Sequence, residues 1–117
     1  MRHAKKDKKF PRRRLGQRRS FFRNLEGQLI ENEKMETTVA RAKALRPKLE
    51  ELMTLAKKQN LGSLRLLLAK LPKVAAFKIY YELAKRYENR AGGYLRIIKE
   101  SKSRKRDGAE MAIIEFI

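Results

Sequence analysis

From Leu15 to Ile30 the apolar residues Phe22, Leu25 and Leu29 recur three and four apart, with Phe21 and Ile30 beside them. That spacing lays one stripe along one face of a helix. Gly27 interrupts it with a residue of low helix propensity. A second stripe is formed by Ala42, Leu45, Leu49, Leu52 and Ala56, with Met53 alongside. Thr37 or Thr38 stands where a side-chain oxygen would cap its first amides. Pro47 falls inside the stripe, where it removes a donor and crowds the carbonyl of Lys43. Leu45 and Leu49 stay in phase across it, so a kinked but unbroken helix is expected. Between the two helices, residues 33–38 read as a small strand or a linker.

Gly62 and Ser63 restart a helix that carries Leu64, Leu67, Leu68 and Leu71. Pro72 ends it and suits the start of the next. Val74, Phe77, Tyr81 and Ala84 form the expected stripe of that helix, widened by Tyr80 and Leu83. Asn89 to Gly93 break the pattern. The period then changes. Tyr94–Lys99 and Met111–Ile117 are rich in β-branched and aromatic residues, and Ser101–Ala109 between them is polar and basic. This predicts an antiparallel hairpin with a basic loop at 101–109. In the last strand Met111, Ile113 and Ile117 share one face, and Ala112, Ile114 and Phe116 the other. A strand apolar on both faces is an aggregation hazard unless covered.

Composition then turns a fold into a candidate function. The chain has 117 residues, enough for one domain with an arm. Lys and Arg number 31 against 13 acids, a net charge of +18. Eleven of those bases lie in residues 1–23, against the single acid Asp7. The first fourteen residues have no apolar periodicity and cannot offset their own ordering entropy. Residues 1–14 are therefore expected to be a basic arm that orders on an anionic partner, with 15–117 as a single domain. A solvated tail or a localisation signal is the plainer alternative. With no Cys, one His and no Trp, thiol chemistry, Cys-ligated zinc and multi-His metal sites are excluded. No apolar run reaches the ~18 residues of a membrane helix. The expectation is a cytoplasmic protein with no cofactor and no small-molecule substrate.

Catalysis has little to build on. His3 has no carboxylate positioned to orient it and suits a phosphate or base contact better. Glu31, Glu33 and Glu36 cluster in sequence, but acids after a basic helix more often pair at the helix end than hold a metal. Gly92-Gly93 lacks phosphate-loop spacing and sits where a helix hands over to a strand.

Binding to phosphate is better supported, because Lys and Arg gain affinity by counterion release and Arg adds a bidentate fork. The arm offers Arg2, Lys5, Lys6, Lys8, Lys9, Arg12, Arg13 and Arg14, and Phe10 either stacks on a base or tucks against protein. Arg18, Arg19 and Arg23 continue the basic character into the first helix. Lys102, Arg104, Lys105 and Arg106 form a second run. Arg41 and Lys43 lie near a helix start, where free amides favour an anion; an ordinary solvated face explains them equally well.

Four landmarks in order carry a resemblance. Met1-Arg2-His3 opens the chain. Arg23-Asn24-Leu25 lies in the first helix. Glu36-Thr37-Thr38 leads into Ala40-Arg41-Ala42-Lys43-Ala44-Leu45-Arg46. Arg86-Tyr87-Glu88-Asn89-Arg90-Ala91-Gly92-Gly93-Tyr94-Leu95-Arg96-Ile97 precedes Met111-Ala112-Ile113-Ile114-Glu115. In these the chain resembles the family of bacterial large-subunit ribosomal protein seventeen, nearly end to end. The family usually has Pro where this chain has Ala91. The resemblance implies an α+β fold: about four helices packed on a small antiparallel or mixed sheet with a C-terminal hairpin and an N-terminal extension into ribosomal RNA. It implies a non-enzymatic structural role in the large subunit, with neighbouring ribosomal proteins toward the side where the nascent chain emerges. It adds Asn24, Arg46, Arg86, Arg90 and Arg96 as RNA contacts. The competing function is a DNA-binding or nucleoid-associated protein, since the helices Ser63–Lys70 and Lys73–Tyr87 could mimic a helix-turn-helix pair. A nuclease or RNA-modifying enzyme is a remote third class. Binding to a membrane surface lacks the aromatic face it needs.

Overall fold

The computed structural model describes residues 15–117. Helix α1 (Leu15–Asn32) is followed by strand β1 (Lys34–Thr38), helix α2 (Val39–Lys57) and helix α3 (Leu61–Lys70). A last helical stretch starts as α4 (Lys73–Lys78), passes through a π-helical turn (Ile79–Leu83) and ends as α5 (Ala84–Arg86). Strands β2 (Leu95–Ser103) and β3 (Glu110–Phe116) complete an α+β fold. The sheet is antiparallel throughout, in the order β1-β3-β2.

Local chemistry explains the boundaries. Thr38 caps α2, its Oγ1 accepting the Arg41 N–H at 3.2 Å. α2 runs unbroken through Pro47 and buries Leu45 and Leu49 fully. Asn60 and Ser63 form a capping box at α3, with the Ser63 N–H donating to Asn60 Oδ1 at 2.7 Å. α1 ends at Glu33, whose φ of 64° is unusual for a residue with a side chain. That residue is held from three sides. Its carboxylate pairs with Lys78 at 3.2 Å and with Arg86, and its carbonyl accepts the Phe116 N–H at 3.0 Å.

The core gathers Phe22, Leu29 and Ile30 of α1, the α2 stripe, Leu67, Leu71, Ile79, Leu83 and the inward sheet residues Ile114 and Phe116. Gly27 lies at a close helix crossing: a Cβ there would stand 2.9 Å from the Pro72 ring.

Three expectations change. The last helical stretch buries Ala75, Ala76, Ile79, Tyr80, Leu83, Ala84 and Tyr87, whereas Val74 and Tyr81 are exposed. Tyr80, Leu83 and Ala84 are buried as expected, but the rest of the buried face lies one residue round from the expected stripe, because the small Ala75 and Ala76 let the backbone approach the core. Phe77 and Tyr81 stack on each other on the outer side, with ring centroids 6.1 Å apart. β2 runs on to Ser103, so the turn is shorter than the loop read at 101–109. The register slips between Lys99 and Ser103. Lastly, β3 is the central strand. Its hydrogen-bonding edges are both occupied, Ala112, Ile114 and Phe116 face the core, and Met111 and Ile113 are half-buried. The hazard of a doubly apolar strand is met by its position.

Candidate nucleic-acid interface

Two basic surfaces emerge from the described residues. The first is an open groove between α1, α2 and α3. Arg18, Arg19 and Arg23 enter it from α1, Lys48 from α2 and Lys70 from α3. Two of the helices supply rows at spacings of three and four. On α1 the row is Arg19, Phe22, Arg23 and Glu26; on α2 it is Ala44, Lys48, Glu51 and Leu55. Lys48 Nζ stands 4.7 Å from the Phe22 ring centre, and the Arg41 guanidinium stands 5.1 Å from that of Phe21. Both are cation–π distances.

Arg23 has a structural task as well. Its guanidinium donates to the carbonyls of Ala69 at 3.2 Å and Leu71 at 3.0 Å. Those carbonyls close α3, where a cation complements the helix dipole.

The groove holds one anomalous group. Glu26 is only 7% exposed. Burial pushes its carboxyl up to about 7, against the pull of Lys48 and Lys70.

The second surface is the β2–β3 turn. Lys102, Lys105 and Arg106 are exposed there. Arg104 is tied within the turn, donating to Asp107 at 2.9 and 2.6 Å. That guanidinium, joined by the Ala109 N–H, holds the Asp107 carboxyl well below the usual carboxylate range. A small cleft joins the base of this turn, at Ala109 and Glu110, to Thr38 and Lys43 at the start of α2. Lys43 and the basic turn are therefore neighbours, as distance in sequence does not suggest.

The remaining expected contacts are scattered. Arg2, His3, Lys5, Lys6, Lys8, Lys9, Arg12, Arg13 and Arg14 lie outside the described residues, as does Phe10. Asn24 and Arg46 are exposed. Arg86 is engaged with Glu33, which also lowers the carboxyl of that residue. Arg90 Nε donates to the carbonyls of Gly92 at 3.3 Å and Gly93 at 3.1 Å, bracing the left-handed Gly93 (φ 65°). Arg96 pairs across strands with Glu115 at 2.7 Å. Of the acids singled out, Glu33 pairs at a helix end. No group of three or more His, Cys, Asp or Glu among the described residues converges on a metal site.

Lys48, Lys70 and Glu26 were not singled out from sequence. Glu26 carries a signal: it falls four after Phe22 and three before Leu29, in phase with the buried stripe, where a carboxylate has no place unless something meets it.

Among the described residues, no helix is long and apolar enough to cross a membrane. The family model described as Ribosomal protein L17 matches residues 21–117. The chain is 50% identical over 119 residues to the large ribosomal subunit protein bL17 of Persephonella marina, covering all of this chain and 95% of that protein. It is 48% identical to bL17 of a Hydrogenobaculum species, over all of this chain and 99% of the relative. To bL17 of Sphingopyxis alaskensis it is 45% identical, over all of this chain and 84% of the relative. With the α+β fold, the basic groove and the basic turn in place, these matches settle the lineage: the chain belongs to the ribosomal protein L17 family.

Proposed function

We propose that this chain is a structural, non-enzymatic constituent of the large ribosomal subunit that holds separate segments of ribosomal RNA together and so supports subunit assembly. Family membership makes it a ribosomal protein, cytoplasmic as part of the ribosome. The observation that carries the finer reading is the pair of basic surfaces on one domain. The α1–α2–α3 groove and the β2–β3 turn with Lys43 are built on different elements. A rigid domain with two such surfaces grips two stretches of phosphate at fixed separation. The basic sequence of residues 1–14 supplies a third set of cations.

Counterion release drives such contacts, and A-form RNA is recognised mainly through its backbone and shape. Neighbouring ribosomal proteins, toward the side where the nascent chain emerges, complete the set of partners. The outer side of the last helical stretch, with Val74 and Tyr81 exposed and Phe77 half-buried, is an apolar surface of the kind such neighbours cover.

Sedimentation of lysate at low and moderate salt, with the chain followed by mass spectrometry, tests this reading. One copy per large subunit, retained at moderate salt, is the expected result. Binding of the purified chain to ribosomal RNA should fall by about three to five decades between roughly 50 and 200 mM salt if ~6–10 phosphates are neutralised. Migration with chromosomal DNA, or a preference for duplex DNA over ribosomal RNA, would overturn the proposal.

A further inference from the structure

The groove between α1, α2 and α3 asks for more than phosphate. Glu26 is more than nine-tenths buried and lines the groove. Among the described residues, no hydrogen bond and no ion pair reaches its carboxyl. Its nearest charged company is Lys48 and Lys70, felt through space. A carboxylate so placed, without a protein donor among the described residues, is free to accept donors from a ligand in the groove.

Three features narrow that ligand. The carboxyl accepts hydrogen bonds, and two parallel donors suit it best. The cations on the rim repel a donor that is itself cationic, so a lysine, an arginine or a metal ion is disfavoured, and they call for an anion alongside. The wall beside Glu26 is apolar, with Leu52 and the half-buried Ala44 and Leu55. A neutral planar donor attached to phosphate meets all three conditions. Among the four bases, guanine alone presents two adjacent donors, N1–H and N2–H, on one edge.

We propose that this groove takes an unpaired guanosine of RNA, Glu26 accepting N1–H and N2–H while Arg18, Arg19 and Lys70 hold its flanking phosphates. The inference rests on the RNA-binding reading above and adds a base-specific contact to it. Sequence-specific recognition of RNA commonly targets unstacked bases in loops and bulges. The Glu26 oxygens are open to the groove, since among the described residues no buried side-chain oxygen lacks a partner, and each donor of the base replaces a solvent hydrogen bond there.

The test uses the full chain and a hairpin RNA with one unpaired guanine in its loop, at fixed salt. Replacing that guanine by adenine should weaken binding by about tenfold or more, and by inosine, which lacks the N2 amine, by less. Glu26→Gln should erase the difference between guanine and adenine. The neutral amide keeps the side-chain shape, and thermal unfolding checks that the variant is folded. Equal affinity of the native chain for the guanine and adenine hairpins, with RNA binding intact, would overturn the guanosine site and leave the broader function standing. Free guanosine monophosphate binding as tightly as the hairpin would overturn the assignment to RNA. No affinity for either hairpin or for ribosomal RNA would overturn the broader function, and the site with it.

Discussion

Glu50 on α2 accepts the backbone N–H of Tyr94 at 3.1 Å through Oε1 and 3.3 Å through Oε2, from 44 positions earlier in the chain. The same Oε1 accepts the Leu95 N–H at 3.3 Å. One carboxylate thus fixes the entry of β2 onto the helical layer, and Tyr94 and Leu95 are both buried. Glu50→Ala leaves two largely buried amides without an acceptor. The expected loss of stability is about 2–3 kcal/mol, read from the midpoint of urea unfolding. Glu50→Gln, which keeps one acceptor, should lose less.

Glu26 makes stability depend on pH. Its carboxyl titrates near 4.5 in the unfolded chain and is pushed up to about 7 when folded, by burial. The folded state therefore binds this proton more tightly. Its contribution is most favourable below about 4.5, declines as pH rises, and levels off above about 7. The groups that face it are Arg18, Arg19 and Arg23 from α1, Lys48 and Glu51 from α2, and Lys70 from α3. Glu26→Gln removes the titration. In free protein it should be more stable than the native chain by on the order of 3 kcal/mol above pH 7 and about equal near pH 4. Urea unfolding across that range measures it.

Gly27 shows why a helix-weakening residue stands inside α1. Ala would gain about 0.5–1 kcal/mol of helix propensity. Its Cβ would also meet Pro72 Cγ at 2.9 Å and Cδ at 3.2 Å, in a ring that cannot rotate away. Forcing the two helices apart costs about 1–3 kcal/mol. Gly27→Ala should therefore lower the thermal midpoint, contrary to its effect in an isolated helix.

Arg23→Lys separates architecture from charge. Lysine keeps the cation but lacks the planar fork that reaches both Ala69 and Leu71. Stability should drop by about 1–2 kcal/mol. The slope of RNA affinity against salt should stay as it is, because the positive charge remains.

The turn between β2 and β3 predicts the converse. Among the described residues, Lys105 and Arg106 are exposed and form no hydrogen bond or ion pair in the turn, which Arg104 and Asp107 hold. Replacing both by Ala should leave the thermal midpoint unchanged. The salt slope for ribosomal RNA should decrease by about 1 for each residue removed.

Much of this architecture is legible in the chain. The stripes of α1, α2 and α3, a threonine cap at 37 or 38 and the hairpin all follow from period and cap chemistry. The last helical stretch is harder. Val74, Phe77 and Tyr81 form the more hydrophobic row, yet the row with Ala75 and Ala76 is buried, because close backbone approach can outweigh side-chain size. Strand order is also invisible, since Glu36↔Ile113 and Ile98↔Ile113 are both in good register and nothing local says which strand lies between. For the interface, runs of cations are easy to see. Lys48 and Lys70 belong to the groove only because two helix crossings bring them to Arg19, and periodicity within one helix says nothing of crossings.

The middle position of β3 governs when the fold can form. β1 and β2 do not touch as a pair; each bonds only to β3, the last of the three strands to be made. Until that strand is available, Lys34 to Thr38 have no ladder partner and the inner faces of both outer strands have nothing between them. The sheet thus cannot be completed until its last strand is present. Truncation before β3 would remove not one strand but the whole sheet, and a ribosome would receive this protein either finished or not at all.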